Sequence, residues 1–213
     1  MNTLLLDSPE IGYGLIVMVL FFIYSGRTAS PVFIIIIIIL ALMLYFYREP
    51  EGIEACTSRD VPSNILLAPS YGTVKAIRKD SDYIYVAIFL SPADVHQQYY
   101  PVNGKVIDRV YDCTGKFEIA FDLDKSRLNE KKIHVIHTTH GVVLVTQIAG
   151  LLVRAIVSDD DVNVNVKAGQ RFGMIKFGSR VDIAIPVGNG FELKCKIGDK
   201  LTGGRQTIGR WSY

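Results

Sequence analysis

Two short constellations in this chain could do chemistry. The first is Gly178-Ser179, inside Met174-Ile175-Lys176-Phe177-Gly178-Ser179-Arg180-Val181-Asp182-Ile183-Ala184-Ile185-Pro186. Gly178 has no Cβ, so its backbone tolerates strain and its carbonyl can be approached closely. Ser179 places a hydroxyl one residue later. If a base takes that proton, the oxygen can attack the Gly178 carbonyl and turn the amide into an ester. β-Elimination of the ester would leave a new N-terminus at position 179 that can become a pyruvoyl group. Taken alone, Gly-Ser is more often an ordinary bulge or turn, so the dipeptide needs partners elsewhere.

The second constellation is Ser91-Pro92-Ala93-Asp94-Val95-His96. Asp94 and His96 are two residues apart, so in extended backbone they face the same way, and Pro92 stiffens the turn before them. A carboxylate beside an imidazole can orient it and raise its basicity, as activation of a weak nucleophile requires. A solvated strand end with an Asp cap fits the same residues.

Other polar residues are less telling. Arg154 and Lys176 are cations suited to a phosphate or a substrate carboxylate. Gln147 ends an apolar run at Gln147-Ile148-Ala149-Gly150 and, if buried, must find a hydrogen-bond partner. Lys176, Arg180 and Gln147 are therefore the candidate substrate-binding residues. His134, His137 and His140 have spacings of three, which do not converge in a strand, and no carboxylate lies among them, so no metal site is expected. Cys56, Cys113 and Cys195 are far apart and odd in number, which suggests neither a disulfide framework nor a zinc site.

These residues need elements to position them, and the 213-residue chain has room for one domain plus an appendage. The appendage is apolar. Gly12 to Tyr24 and Val32 to Tyr47, which includes the run Ile34 to Ile39, are separated by Ser25-Gly26-Arg27-Thr28-Ala29-Ser30-Pro31. As helices they would extend roughly 20 and 24 Å. That is short of a hydrocarbon core of about 30 Å, so a hairpin in one leaflet or two short spans is expected. The first fourteen residues hold no Lys or Arg, which argues against a cleaved signal peptide. Tyr45, Phe46, Tyr47 and Arg48 suit a membrane interface. The chain is expected on a membrane, which one being open.

The polar stretch Arg48-Glu49-Pro50-Glu51-Gly52 marks the boundary, giving residues 1–50 as anchor and 51–213 as the second domain. From about Val61 onward the pattern is short alternating segments between Gly, Pro, Asn and Asp, with little helix. Candidate strands are 65–68, 73–77, 83–90, 105–111, 117–121, 133–139, 142–148, 153–157, 172–177 and 181–186. His140-Gly141 reads as a hairpin turn.

Two internal repeats accompany these strands. Pro69-Ser70-Tyr71-Gly72-Thr73-Val74 resembles Pro101-Val102-Asn103-Gly104-Lys105-Val106. Val166-Lys167-Ala168-Gly169-Gln170, followed by Gly173, resembles Leu201-Thr202-Gly203-Gly204-Arg205, followed by Gly209. The expected fold is mainly β, a barrel-sandwich-like domain of two interlocking half-barrels similar to lipoyl and biotinyl carrier domains. No Lys sits at a hairpin tip with the Met those carriers use, so a swinging-arm carrier is disfavoured. The formal net charge of +2 offers no broad basic field, so nucleic acid is not an expected partner.

Together, Phe46-Tyr47-Arg48-Glu49-Pro50-Glu51, Ala68 to Val74, Leu90 to His96, Asn129-Glu130-Lys131, Gln147 to Gly150 and Gly173 to Asp182 resemble the short form of the phosphatidylserine decarboxylase family. The resemblance runs from about Phe46 to the end of the chain. It implies a proenzyme that cuts itself between Gly178 and Ser179 into a β chain, residues 1–178, and an α chain, residues 179–213. Ser179 would become a covalent pyruvoyl cofactor, with Asp94 and His96 assisting its attack. The implied reaction converts phosphatidylserine to phosphatidylethanolamine and CO2. The implied partners are a phospholipid substrate, the membrane and the sister chain, with a dimer of such pairs left open.

The chain departs from the family in three places. The family's Asn-Glu-Arg is Asn129-Glu130-Lys131 here, its Asp-Gly in the first turn is Tyr71-Gly72, and residues 111–128 lack the histidine that longer members carry. The identity of the general base is thus less defined than that of the nucleophile. Two other readings compete: a non-enzymatic, membrane-anchored barrel-sandwich adaptor, and a pyruvoyl decarboxylase for a soluble amino acid, against which the apolar appendage argues.

Overall fold

A computed structural model describes residues 9–25, 31–50, 60–112, 129–150, 156–159, 161–176, 179–188 and 190–212. The chain forms two compact units, Met1–Glu49 and Pro50–Tyr213.

The first unit is a pair of helices, α1 (Pro9–Ser25) and α2 (Pro31–Phe46). Both begin at a proline, whose fixed φ and missing N–H suit the first helical position. They touch where Gly14 leaves room for Leu40 and where Phe21 and Phe33 stack, with centroids 6.3 Å apart. Both carry exposed apolar side chains, among them Ile16, Leu20, Ile23, Ile35, Ile38 and Leu42. At 17 and 16 residues, no described helix is long and apolar enough to cross a membrane. Tyr45 closes α2 with the Arg48 guanidinium 3.9 Å from its ring centroid.

The second unit is mainly β, with strands β1 (Ile65–Leu67), β2 (Gly72–Lys79), β3 (Tyr83–Leu90), β4 (Gln97–Tyr99), β5 (Gly104–Asp112), β6 (Lys131–Thr138) and β7 (Gly141–Ile148). They are followed by β8 (Ile156–Ser158), β9 (Val164–Val166), β10 (Arg171–Ile175), β11 (Ser179–Pro186), β12 (Glu192–Leu193), β13 (Lys200–Leu201) and β14 (Thr207–Arg210). Eight strands form one sheet in the order β13-β2-β3-β11-β7-β6-β5-β9, and two three-stranded sheets run β1-β14-β12 and β4-β10-β8. The expected strand at 117–121 lies outside the described residues.

The sequence repeats are the trace of an internal two-fold relation. The centre of the large sheet is the pair β11 and β7, where Ile183 faces Val145. Moving outward, β3 matches β6, β2 matches β5 and β13 matches β9. The match extends to irregularities. Ladder β2–β3 shifts register between Val74 and Ala76, and ladder β5–β6 shifts between Val106 and Asp108, each just after the strand's first Gly and two residues into it. Both three-stranded sheets repeat the rule, with shifts between Leu66 and Leu67 opposite β14 and between Arg171 and Gly173 opposite β4. The halves interlock through reciprocal bonds, Leu67 N–H to Pro101 O and Tyr99 N–H to Pro69 O, both 2.8 Å.

The repeated glycines are there because backbone crosses them. A Cβ on Gly72 would lie 2.4 Å from Phe89 O, and one on Gly104 would lie 2.5 Å from His137 O. Between the layers lies one core, where Val74, Val86, Ile88, Val106, Ile136, Val145, Val181 and Ile183 are fully enclosed. The half-barrels nevertheless do not close. Among the described strands, β13 and β9 end the large sheet, each pairing with a single neighbour in it, so the sheets are open where a barrel-sandwich-like domain of two half-barrels was expected.

Candidate active site

Ser179 opens β11, and its backbone pairs with Leu90, the last residue of β3. The strand that carries Ser179 therefore brings it beside the start of the Ser91–His96 segment, although 88 positions of sequence separate Ser91 from Ser179. A second constraint comes from β10, where the Ile175 N–H reaches His96 O at 3.3 Å. From Lys176 to Ser179 is three residues, at most about 11 Å even when extended. Phe177 and Gly178 lie outside the described residues, so the expected cut at Gly178-Ser179 is flanked by Lys176 and Ser179. The end of β3 and the 91–96 turn thus lie beside Ser179, and the end of β10 lies beside His96.

Within the turn, the Asp94 carboxylate accepts from the Ser91 N–H and Oγ–H, both at 2.8 Å, while the Asp94 N–H returns to Ser91 O at 2.9 Å. This closed loop holds Asp94 where its own carbonyl accepts from His96 Nδ1 at 2.8 Å. A carbonyl can only accept, so that bond puts the proton of neutral His96 on Nδ1 and the lone pair on Nε2. His96 is completely enclosed. The hydrogen bond of the imidazole thus goes to the Asp94 backbone, while the Asp94 carboxylate bonds to Ser91. The carboxylate ties the turn and the backbone carbonyl orients the ring, because the chain bends at Asp94 instead of running extended.

The three candidate substrate-binding residues occupy three environments. Lys176 is buried at the end of β10. Arg180 alternates with the core residue Val181, so it leaves the other face of the sheet. There its Nε lies 2.9 Å from Asp182 Oδ1, beside a cavity of about 550 Å³ lined also by Arg78 and Tyr85. Burial pushes the Asp182 carboxyl up, with Arg180 and Arg78 pulling it down. Gln147 has no exposed surface. Its Oε1 meets His134 Nε2 at 2.9 Å and its Nε2 donates to Gln98 Oε1 at 3.0 Å, so its amide serves the interior.

The histidines that invited a metal reading are dispersed. His134 is enclosed, His137 is exposed, and His140 lies flat on Trp211, with 4.8 Å between ring centroids and 5° between planes. Among the described residues no group of three or more His, Cys, Asp or Glu is arranged to hold a metal ion. Burial pushes the Cys195 thiol up, which suits an inert core residue; Cys56 and Cys113 lie outside the described residues. Lys131, at the departure from the family pattern, forms a surface ion pair with Asp112 at 3.1 Å. Its neighbours Asn129 and Glu130 tie β6 to the end of β7 through Ala149, and the Glu130 carboxylate accepts the Tyr111 hydroxyl. Gln98, Ser91 and Arg109 join the site's framework unforeseen. The one available signal was the uninterrupted His96-Gln97-Gln98 in an otherwise apolar strand setting.

Comparison with known proteins follows the same outline. The sequence profile of the phosphatidylserine decarboxylase family matches residues 41–209. A putative archaetidylserine decarboxylase proenzyme of Methanosarcina mazei is 36% identical over 167 residues, 78% of this chain and 74% of the relative. A phosphatidylserine decarboxylase proenzyme of Chlorobaculum tepidum is 36% identical over 176 residues, 78% of this chain and 76% of the relative. One from Wolbachia pipientis is 35% identical over 181 residues, 78% of this chain and 74% of the relative. The adaptor reading finds no counterpart among these names.

Proposed function

The chain belongs to the phosphatidylserine decarboxylase family, and on that premise we propose a pyruvoyl-dependent enzyme that matures by self-cleavage between Gly178 and Ser179. Its reaction removes CO2 from the serine headgroup of a membrane phospholipid. The observation that carries the proposal is the pairing of Ser179 with Leu90, which sets the nucleophile's backbone beside the turn that ends in the enclosed, Nδ1-protonated His96.

In this reading His96 Nε2 takes the Ser179 hydroxyl proton, and the oxygen forms a bond to the Gly178 carbonyl carbon. The Gly178–Ser179 C–N bond breaks, and the proton goes to the released amine. Loss of the residue-179 Cα proton then expels the Gly178 carboxylate through cleavage of the Cβ–Oγ bond. Water replaces nitrogen at the new terminus, and ammonia leaves. The residues fit such a group, since Ser179 stands at the first position of a strand whose remainder is anchored on both sides, by β3 and β7. The same ladders would keep residues 179–213 bound to residues 1–178 after the cut, as a pair of chains. The pyruvoyl carbonyl supplies a sink for the electron pair released as CO2 departs. Lys176 and Arg180 are the proposed partners of the headgroup's anionic groups.

The exposed apolar faces of α1 and α2 fit a membrane anchor that keeps the enzyme next to a substrate confined to the bilayer. The test is CO2 release by the purified full chain from vesicles holding phosphatidylserine or its ether-linked archaeal analogue, with free serine as control. Release from lipid alone, abolished in Ser179→Ala, is expected. Release by Ser179→Ala would overturn the pyruvoyl assignment, and release from free serine alone would move the activity to soluble amino acids.

A further inference from the structure

Resting on that reading, we propose that His134, Gln147 and Gln98 are positioning residues for His96, acting as a directed hydrogen-bond relay across the core. Every link runs one way. Arg109 Nε donates to His134 Nδ1 at 3.1 Å, which leaves the neutral ring's proton on Nε2. His134 Nε2 donates to Gln147 Oε1 at 2.9 Å, Gln147 Nε2 to Gln98 Oε1 at 3.0 Å, and Gln98 Nε2 to His96 O at 2.6 Å. Arg109 is itself tethered, its Nη2 donating to the Tyr100 hydroxyl at 2.8 Å. The relay spans strands β5, β6, β7 and β4 and ends on the backbone of the residue assigned as base.

The two-fold relation shows that the fold does not require these polar groups. Ladder registers make His134 the counterpart of Val86, Gln147 the counterpart of Ile185, and Gln98 the counterpart of Leu66. All six are fully enclosed, so the other half fills the same three places with hydrocarbon. Burying three polar side chains is unfavourable unless each is satisfied, and a hydrophobic replacement of similar shape is often neutral or stabilising.

His96 itself corresponds to Asn64. Both carbonyls accept one backbone bond, from Ile175 N–H at 3.3 Å and from Trp211 N–H at 2.9 Å respectively. In the half that holds His96, Gln98 adds a second donor to that carbonyl. The ring is then fixed from both sides, by its carbonyl through the relay and by Nδ1 through Asp94. Gly173 lies beside the middle link, where a Cβ would meet Val157 O at 2.4 Å, Ser158 Cβ at 2.8 Å and Gln147 Nε2 at 3.0 Å.

The experiment transplants the apolar half onto the polar one, as His134→Val/Gln147→Ile/Gln98→Leu in the full chain. Thermal unfolding and the rate of self-cleavage from freshly refolded precursor are followed side by side. A melting temperature no lower than wild type with cleavage slowed at least tenfold is expected, and His134→Gln, which can still accept and donate, should cleave within about threefold of wild type. A structural role would instead move stability and rate together. A folded triple variant cleaving within threefold of wild type would overturn the relay. If the triple variant does not fold, Gln98→Leu alone is judged by the same thresholds. A wild-type chain that does not cleave would sink the self-cleavage reading, and the relay with it.

Discussion

His96 Nδ1 bonds to the Asp94 carbonyl while the Asp94 carboxylate accepts from Ser91, and that changes what Asp94 is for. Its two oxygen-mediated bonds to Ser91 shape the turn, and its carbonyl does the orienting. His96→Ala should therefore slow self-cleavage by about 10²–10⁴-fold, the usual contribution of a positioned base. Asp94→Asn keeps an acceptor for Ser91 and should cleave far faster than His96→Ala. Asp94→Ala loses the cap, at about 1 kcal/mol of stability, and should fall between them. Fragment appearance on a denaturing gel orders the three. Equal losses for Asp94→Asn and His96→Ala would show that the carboxylate's charge takes part in the chemistry. At this scale the spacing of Asp94 and His96 was legible, whereas the bend that replaces carboxylate by carbonyl was not, because a two-residue periodicity presumes extended backbone.

Among the elements, the two repeats were the most informative reading of the sequence, and Gly72 and Gly104 explain why. Each admits a neighbouring strand's carbonyl where a side chain would collide, and Gly72 also holds φ at +138°. Gly72→Ala and Gly104→Ala should each destabilise the domain by about 2 kcal/mol, as overpacking does, in denaturant titration. Residues outside the repeats that the ladder registers make counterparts, such as His134 and Val86, gave no sign of the relation in sequence. Short alternating segments announced β3, β6, β7 and β11, while β12 and β13, two residues each, are too short to carry a period. The barrel-sandwich-like expectation was read from regular strand spacing, with the repeats in support. Local pattern says nothing about whether the outermost strands, β13 and β9, reach each other.

The turn between β2 and β3 allows a pH test. Backbone N–H groups of Tyr83 and Asp82 donate to Asp80 and hold its carboxyl below its ordinary 3.8. A lowered carboxyl stabilises the fold above the unfolded value and loses that contribution as pH falls through the folded one. Wild type should thus exceed Asp80→Asn in melting temperature at neutral pH, and the two should converge as pH drops below 3.8. A constant gap would remove this carboxylate from the turn's stability.

At the scale of the whole molecule, a helical unit with apolar exposure precedes a β unit that carries the site. Ile35→Lys together with Ile38→Lys should weaken flotation of the full chain with phospholipid vesicles, since a lysine at mid-membrane depth costs about 2.5–3.5 kcal/mol. Undiminished flotation would assign membrane contact to other surfaces. Length and hydropathy made this unit visible at once, because two apolar runs of 17 and 16 helical residues stand out from a chain of short alternating strands.

The most direct test is the intact mass of the purified chain under denaturing conditions, with the smaller species probed by a carbonyl-reactive hydrazide. Two species divided between Gly178 and Ser179, the smaller lacking a free N-terminal amine and labelled by the hydrazide, are expected. A single 213-residue species with Ser179 intact, or a cut at any other bond, would contradict the account.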